Sequence, residues 1–100
     1  MRSLPGRWNL DRDRAAAIAD IGKVFADPTR VLILQALAHH ELCGCDLGWI
    51  TGQSDKVISH HLMRLRRDGL IDTRRAGKVV FASLTDRARE LVTLLDGAAA

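Results

Sequence analysis

Apolar positions recur at helical spacing over most of this chain and change to strand-like runs in one short stretch. From Asp11 to Phe25 they fall at Ala15, Ile18, Ile21 or Gly22, and Phe25, the beat of an amphipathic helix. Asp27-Pro28-Thr29-Arg30 then predicts a sharp helix start. Asp27 can accept from the free amides of a first turn, and Pro28 has no donor to lose there. This second helix is expected to reach about Ala38, with Val31, Leu34 and Leu37 among its buried side chains. A short third helix is expected over Cys45 to Thr51, burying Leu47 and Ile50. Gly52-Gln53-Ser54 breaks it, Ser54 caps a fourth helix that reaches Asp68, and Gly69 stops that one. Leu70 to Arg75 and Lys78 to Leu84 read as two strands around Ala76-Gly77. Thr85 or Asp86 opens a last helix with Ala88, Leu91, Val92 and Leu95 on one side. Helix, helix, helix-turn-helix, hairpin, helix is the order of a winged helix-turn-helix. The fold class is mainly α, with a β-hairpin as the wing.

With 100 residues the chain makes one domain, expected over residues 11–97 behind a flexible arm of residues 1–10. A chain this short buries only somewhat more than ~60% of its unfolded surface. The last helix nonetheless offers Leu91, Val92, Leu94 and Leu95, more apolar side chain than so small a domain covers alone. A homodimer through the first and last helices is expected. No apolar run approaches the ~20 residues of a membrane span. Met1 to Leu10 lacks the apolar stretch of a signal peptide, so no membrane partner and a cytoplasmic location are expected. Four histidines and two cysteines offer a Cys-His pair, but this length leaves no second layer to build a pocket around it. No enzyme is expected.

The net charge is only +3, yet it is unevenly placed. Between Lys56 and Lys78 stand seven bases against two acids, so this stretch carries +5 and the remainder −2. A basic block in a near-neutral chain suits a phosphate-facing surface, although a solvated charged face would look the same by charge alone. The pattern beneath the charge separates the two readings. With Ile58 at the centre of the fourth helix's inner face, Leu62 and Leu65 fall within roughly 40° of it. Lys56, His60, Met63 and Arg67 fall within roughly 40° of the opposite direction, flanked by Ser59 and by Arg64 and Arg66. A helix with an apolar back and a basic front suits the major groove of double-stranded DNA. Arg74, Arg75 and Lys78 are expected at the hairpin tip, where a wing meets phosphates or the minor groove. His61 points to the core edge and reads as structural.

Four segments in this order resemble one family: Asp27-Pro28-Thr29-Arg30, Glu41-Leu42-Cys43-Gly44-Cys45-Asp46-Leu47, Ser59-His60-His61-Leu62 and Arg75-Ala76-Gly77-Lys78. The chain resembles the ArsR/SmtB metal-sensing repressors from about Ile21 to Leu84. The resemblance implies a homodimer whose metal-free form sits on a palindromic operator and leaves it when metal binds. It also implies that Cys43 and Cys45 supply thiolates to a soft metal or metalloid ion: cadmium, lead, zinc, arsenite or antimonite. In an ideal helix residues two apart are rotated by roughly 200°, so a shared ion needs a loop or a frayed first turn there. Gly44 is expected to ease that bend.

Two thiolates do not complete a tetrahedral site. Candidates to fill it are His39, His40, Glu41, an arm carboxylate such as Asp11 or Asp13, a water or a small thiol. A second metal site of the family, on the last helix, is not expected, because Ala88 and Ala99 stand where its pattern wants histidines. The plainer reading of Cys43 and Cys45 is two small buried side chains in a reducing compartment. The rival function is a metal-independent winged-helix regulator that answers to thiol redox or to a partner protein. A fold that has lost DNA binding is a third reading, against which Lys56, His60 and Arg67 stand.

Overall fold

A computed structural model describes residues 10–99. All of the expected arm but Leu10 lies outside the described residues. The elements are α1 (Arg12–Val24), α2 (Pro28–Leu37), β1 (Leu42–Cys43), α3 (Gly44–Thr51), α4 (Asp55–Arg67), β2 (Ile71–Ala76), β3 (Val79–Leu84) and α5 (Asp86–Ala99). This is a winged helix-turn-helix, with α3 and α4 as the helix pair and β2–β3 as the wing.

The helix starts are fixed by side chains that satisfy orphan amides. Asp11 accepts from Asp13 N at 2.9 Å, Asp27 from Thr29 N at 2.8 Å, and Ser54 from Val57 N at 3.3 Å. The Thr85 hydroxyl accepts from Ala88 N at 3.2 Å and so opens α5. Where α3 ends, Gly52 takes φ +73°, and where α4 hands over to β2, Gly69 takes φ +75°. A side chain would be strained at either point, and these two glycines set the turns on both sides of α4.

The sheet has three strands in the order β1-β3-β2, all antiparallel. β1 had no counterpart in the sequence reading, because two residues carry no periodicity. It pairs Leu42 with Ala82 and Cys43 with Phe81, and Phe81 in turn faces Arg74 on β2. Cys43, Phe81 and Arg74 therefore stand in one row across the sheet.

The core gathers Ile33, Leu34 and Leu37 of α2, Leu47 of α3, Ile58, Leu62 and Leu65 of α4, Leu70, and Ile71, Ala82 and Leu84 of the sheet. Ala88 and Val92 of α5 close it. An expectation fails here. Ile50 is 41% exposed, since a two-turn helix packs one narrow stripe and Leu47 already fills it. α1 buries only Val24, leaving Ile18 61% exposed. No helix among the described residues is long and apolar enough to cross a membrane.

Candidate nucleic-acid interface and thiol segment

α4 separates its faces as its sequence demands. Ile58, Leu62 and Leu65 are buried, while Lys56, Ser59, His60, Met63 and Arg67 are exposed. The Arg67 side chain is 73% exposed, and its Nε lies 3.7 Å from Asp68, a surface contact that leaves the guanidinium available. Arg64 is more withdrawn, with its Nε 4.0 Å from the Asp68 carboxylate and without a hydrogen-bond partner. It flanks the outer face. Its neighbour His61 is half-buried, and Nδ1 has no partner. Burial pushes its ring below the ordinary histidine value, against the pull of the Asp27 carboxylate.

The two wing arginines part company. Arg75 and Lys78 are exposed near the tip. Arg74 turns the other way, because successive strand residues face opposite sides of a sheet. It donates to Glu41 through Nη2 at 2.6 Å and Nε at 2.9 Å, and its guanidinium lies 4.5 Å from the centre of the Phe81 ring. The sequence places Arg74 at the hairpin tip; the structure pairs it there with Glu41 and leaves its side chain 57% exposed. The same contact holds Glu41 below the usual carboxylate range and raises Arg74. Glu41 is thus paired with the wing through Arg74.

The thiol segment is built by β1 running into α3. Cys43 is extended (φ −85°, ψ 166°) and caps α3, so the bend occurs at Cys43. Gly44 has no positive φ, and a Cβ on it would meet only Ile58 Cγ2, at 4.0 Å. The bend therefore does not require glycine there. The Cys43 thiol donates to Asp46 Oδ2 at 3.2 Å, and the backbone N–H of Cys43 reaches the same oxygen at 3.4 Å. Cys45 is exposed, and its thiol is pushed up, first by the neighbouring Cys43 sulfur and then by Asp55. A thiol whose ionisation is opposed by a neighbouring sulfur and by a carboxylate is a setting that a cation would relieve. His39 and His40 are exposed after α2. Among the described residues of one chain, no group of three or more His, Cys, Asp or Glu is placed to hold a metal ion.

α4 and the wing enclose an open groove of about 390 Å³, and Cys45 stands in its wall with Ser59, Met63, Arg66, Thr73 and Val80. α4, the wing and the start of α3 thus share one concavity. Residues 27–73 match the family described as bacterial regulatory protein, arsR family. The chain belongs to the arsR family. It is 40% identical over 77 residues to a transcriptional repressor SmtB homolog of Synechocystis, covering 77% of this chain and 58% of that one. It is 36% identical over 66 residues to the cadmium resistance transcriptional regulatory protein CadC of Listeria innocua, covering 65% and 56%. It is likewise 36% identical over 89 residues to the regulator NmtR of Mycobacterium tuberculosis, covering 89% and 72%. The homodimeric winged helix-turn-helix DNA-binding domain Mb0332 of Mycobacterium bovis superimposes with a TM-score of 0.78 at 26% identity, covering 92% and 89%.

These arsR-family relatives are transcriptional regulators, and the enzyme reading is set aside. The chain spans little more than half the length of the SmtB homolog and of CadC. Two contacts around the arsR-family motif went unread in the sequence. Asp46 lies three residues after Cys43, the spacing at which an N-cap and a first-turn carboxylate meet, and that signal was available. The Glu41–Arg74 pair spans 33 residues and depends on β1, which no local pattern announces.

Proposed function

We propose that this chain is a homodimeric repressor that binds operator DNA and is released from it by a soft metal or metalloid ion at Cys43 and Cys45. The observation that carries this reading is the shared groove, which places Cys45 beside Ser59 and Met63 of α4 and opposite the wing. Lys56, Ser59, His60, Met63 and Arg67 face the bases, with Arg64 at the flank and Arg75 and Lys78 on the backbone. Residues 11–97 form the DNA-binding and dimerising unit. The exposed apolar faces of α1 and α5 support the pairing, in the manner of the homodimeric Mb0332 domain.

The donor set fits a thiophilic ion. Thiolates favour cadmium, lead, zinc or arsenite over hard cations, and Asp46 already touches Cys43. Cys43 and Cys45 would hold the ion, and Asp46 already touches the first of these sulfurs. Loading must expel the thiol protons, the more so at Cys45, whose thiol is pushed up. Further donors would come from His39, His40 or Glu41, from an arm carboxylate such as Asp11 or Asp13, from the partner protomer, or from a water or small thiol. When bound, such an ion would supply positive charge beside the two sulfurs, and Cys43, at the start of α3, would link its loading to the helix behind α4. Linkage makes the effect mutual, so the DNA-bound dimer must hold the metal less tightly, typically by ~1–3 kcal/mol.

The test is a gel shift on the DNA upstream of the gene, titrated with cadmium, lead, zinc and arsenite. The parent should leave DNA on addition of metal and rebind on chelation. The Cys43→Ser, Cys45→Ser protein should bind DNA equally well and stay on it, with affinity changing less than about twofold. A double-serine protein that still releases places the inducer site elsewhere. Release that a chelator does not reverse, or that oxidant alone produces, favours the redox reading.

A further inference from the structure

The solvent face of α4 is cationic, yet an apolar side chain stands at its centre. Met63 is 69% exposed, between His60 one turn before it and Arg66 and Arg67 just after. Three separate hollows on this side of the molecule all have Met63 in their walls. One lies against the wing, one beside Arg64 and Arg67, and one beside Lys56 and Val57. No other residue is common to all three. Folding does not ask for an apolar group here, since Ile58, Leu62 and Leu65 already complete the buried stripe. A bare methionine at this point gains free energy only against an apolar surface that arrives from outside.

In the major groove the base edges offer hydrogen-bond donors and acceptors to Lys56, His60 and Arg67, with one apolar exception. That exception is the 5-methyl group of thymine. An unbranched thioether with three rotatable bonds suits a small apolar target whose position varies with the tilt of the helix. We propose that Met63 is a specificity-determining residue that reads a thymine methyl near the centre of each operator half-site, and so separates thymine there from the other bases. This inference rests on the DNA-binding reading of α4.

The test begins with the full chain selecting sites from a randomised duplex pool. Each thymine of the selected half-site is then replaced by deoxyuridine, which removes the methyl and keeps the hydrogen-bonding edge. At one position the parent should lose affinity about fourfold per methyl, the equivalent of one buried methylene. Met63→Ala should bind thymine and uracil alike at that position, while Met63→Leu should keep most of the preference. Because Met63 is exposed, both variants should retain the parent's circular dichroism and urea midpoint. Uracil equal to thymine everywhere in the parent, or a uracil penalty that persists in Met63→Ala, overturns the assignment and leaves α4 as a DNA-reading helix. If the parent selects no DNA at all, the operator-binding reading falls and takes this inference with it.

Discussion

α1 and α4 are both 13 residues long, and both carry an apolar stripe, but only one stripe is covered within the chain. α4 buries Ile58, Leu62 and Leu65 against its own neighbours. α1 is capped by Asp11 at one end, and at the other Arg30 donates to Val24 O at 3.0 Å and Lys23 O at 2.8 Å. Its flank nonetheless stays open, as does that of α5, where Leu94 is 70% and Leu95 47% exposed. Amphipathic spacing tells which face of a helix is apolar and says nothing of which molecule covers it. In α4 the answer is this chain. For α1 and α5 the proposed answer is a second copy.

The harshest test of that contrast is charge on the open faces. Ile18→Asp with Leu94→Asp should leave the helical spectrum in place, since neither side chain is in the core. Sedimentation should then report the mass of a single chain. Operator affinity should fall by at least about a hundredfold, because each half-site loses the second one tethered to it. The matched change on the closed face is Leu65→Ala, which should lower unfolding free energy by about 2–5 kcal/mol. A dimer that survives both aspartates removes the distinction between the two helices.

A milder test uses the adjacent wing arginines. Arg75→Ala should reduce the slope of log affinity against log salt by about one and weaken all sequences alike. Arg74→Ala should leave that slope unchanged and lower the urea midpoint, because Arg74 ties the wing to Glu41 and Phe81. Equal salt slopes for the two variants would return Arg74 to the DNA surface.

The order of helices, the caps Asp27 and Ser54 and the inner face of α4 were legible in the sequence because each is decided within one or two turns of chain. Asp27, Ser54 and Gly69 act on their immediate neighbours, and a thirteen-residue helix repeats its pattern three times over. What escaped was set by pairing over distance. β1 exists because Leu42 and Cys43 find Ala82 and Phe81, and Arg74 is paired with a carboxylate 33 positions away. The cysteine pair was visible as a motif. Its geometry was not, because the bend falls at Cys43 rather than at Gly44, and Asp46 takes the first contact with the sulfur.

The smallest expected effect separates two neighbouring histidines that sequence alone distinguishes only by helical phase. His60 is exposed on the outer face of α4, while His61 is turned toward Asp27 and Arg30 at the start of α2. Burial depresses the His61 imidazolium below its ordinary value of 6.5, Asp27 opposes this, and Arg30 and His60 add to it. In the unfolded chain the ring takes up its proton near pH 6.5, whereas the folded chain resists. The unfolded state therefore binds more protons in that window, and stability rises with pH across it. The contribution is complete above pH 6.5 and is lost as pH falls toward the lower native value. Urea midpoints measured at pH 7.5 and 5.5 keep the carboxylates of Asp27 and Glu41, both held below their ordinary values, ionised throughout. The parent should be less stable at pH 5.5, His61→Gln should show a smaller difference, and His60→Gln, which removes only the smallest of these influences, should keep most of it. A His61→Gln protein with an unchanged pH response would mean that burial on the inner flank of α4 does not set the titration, and that the two faces of this helix are less distinct than their packing indicates.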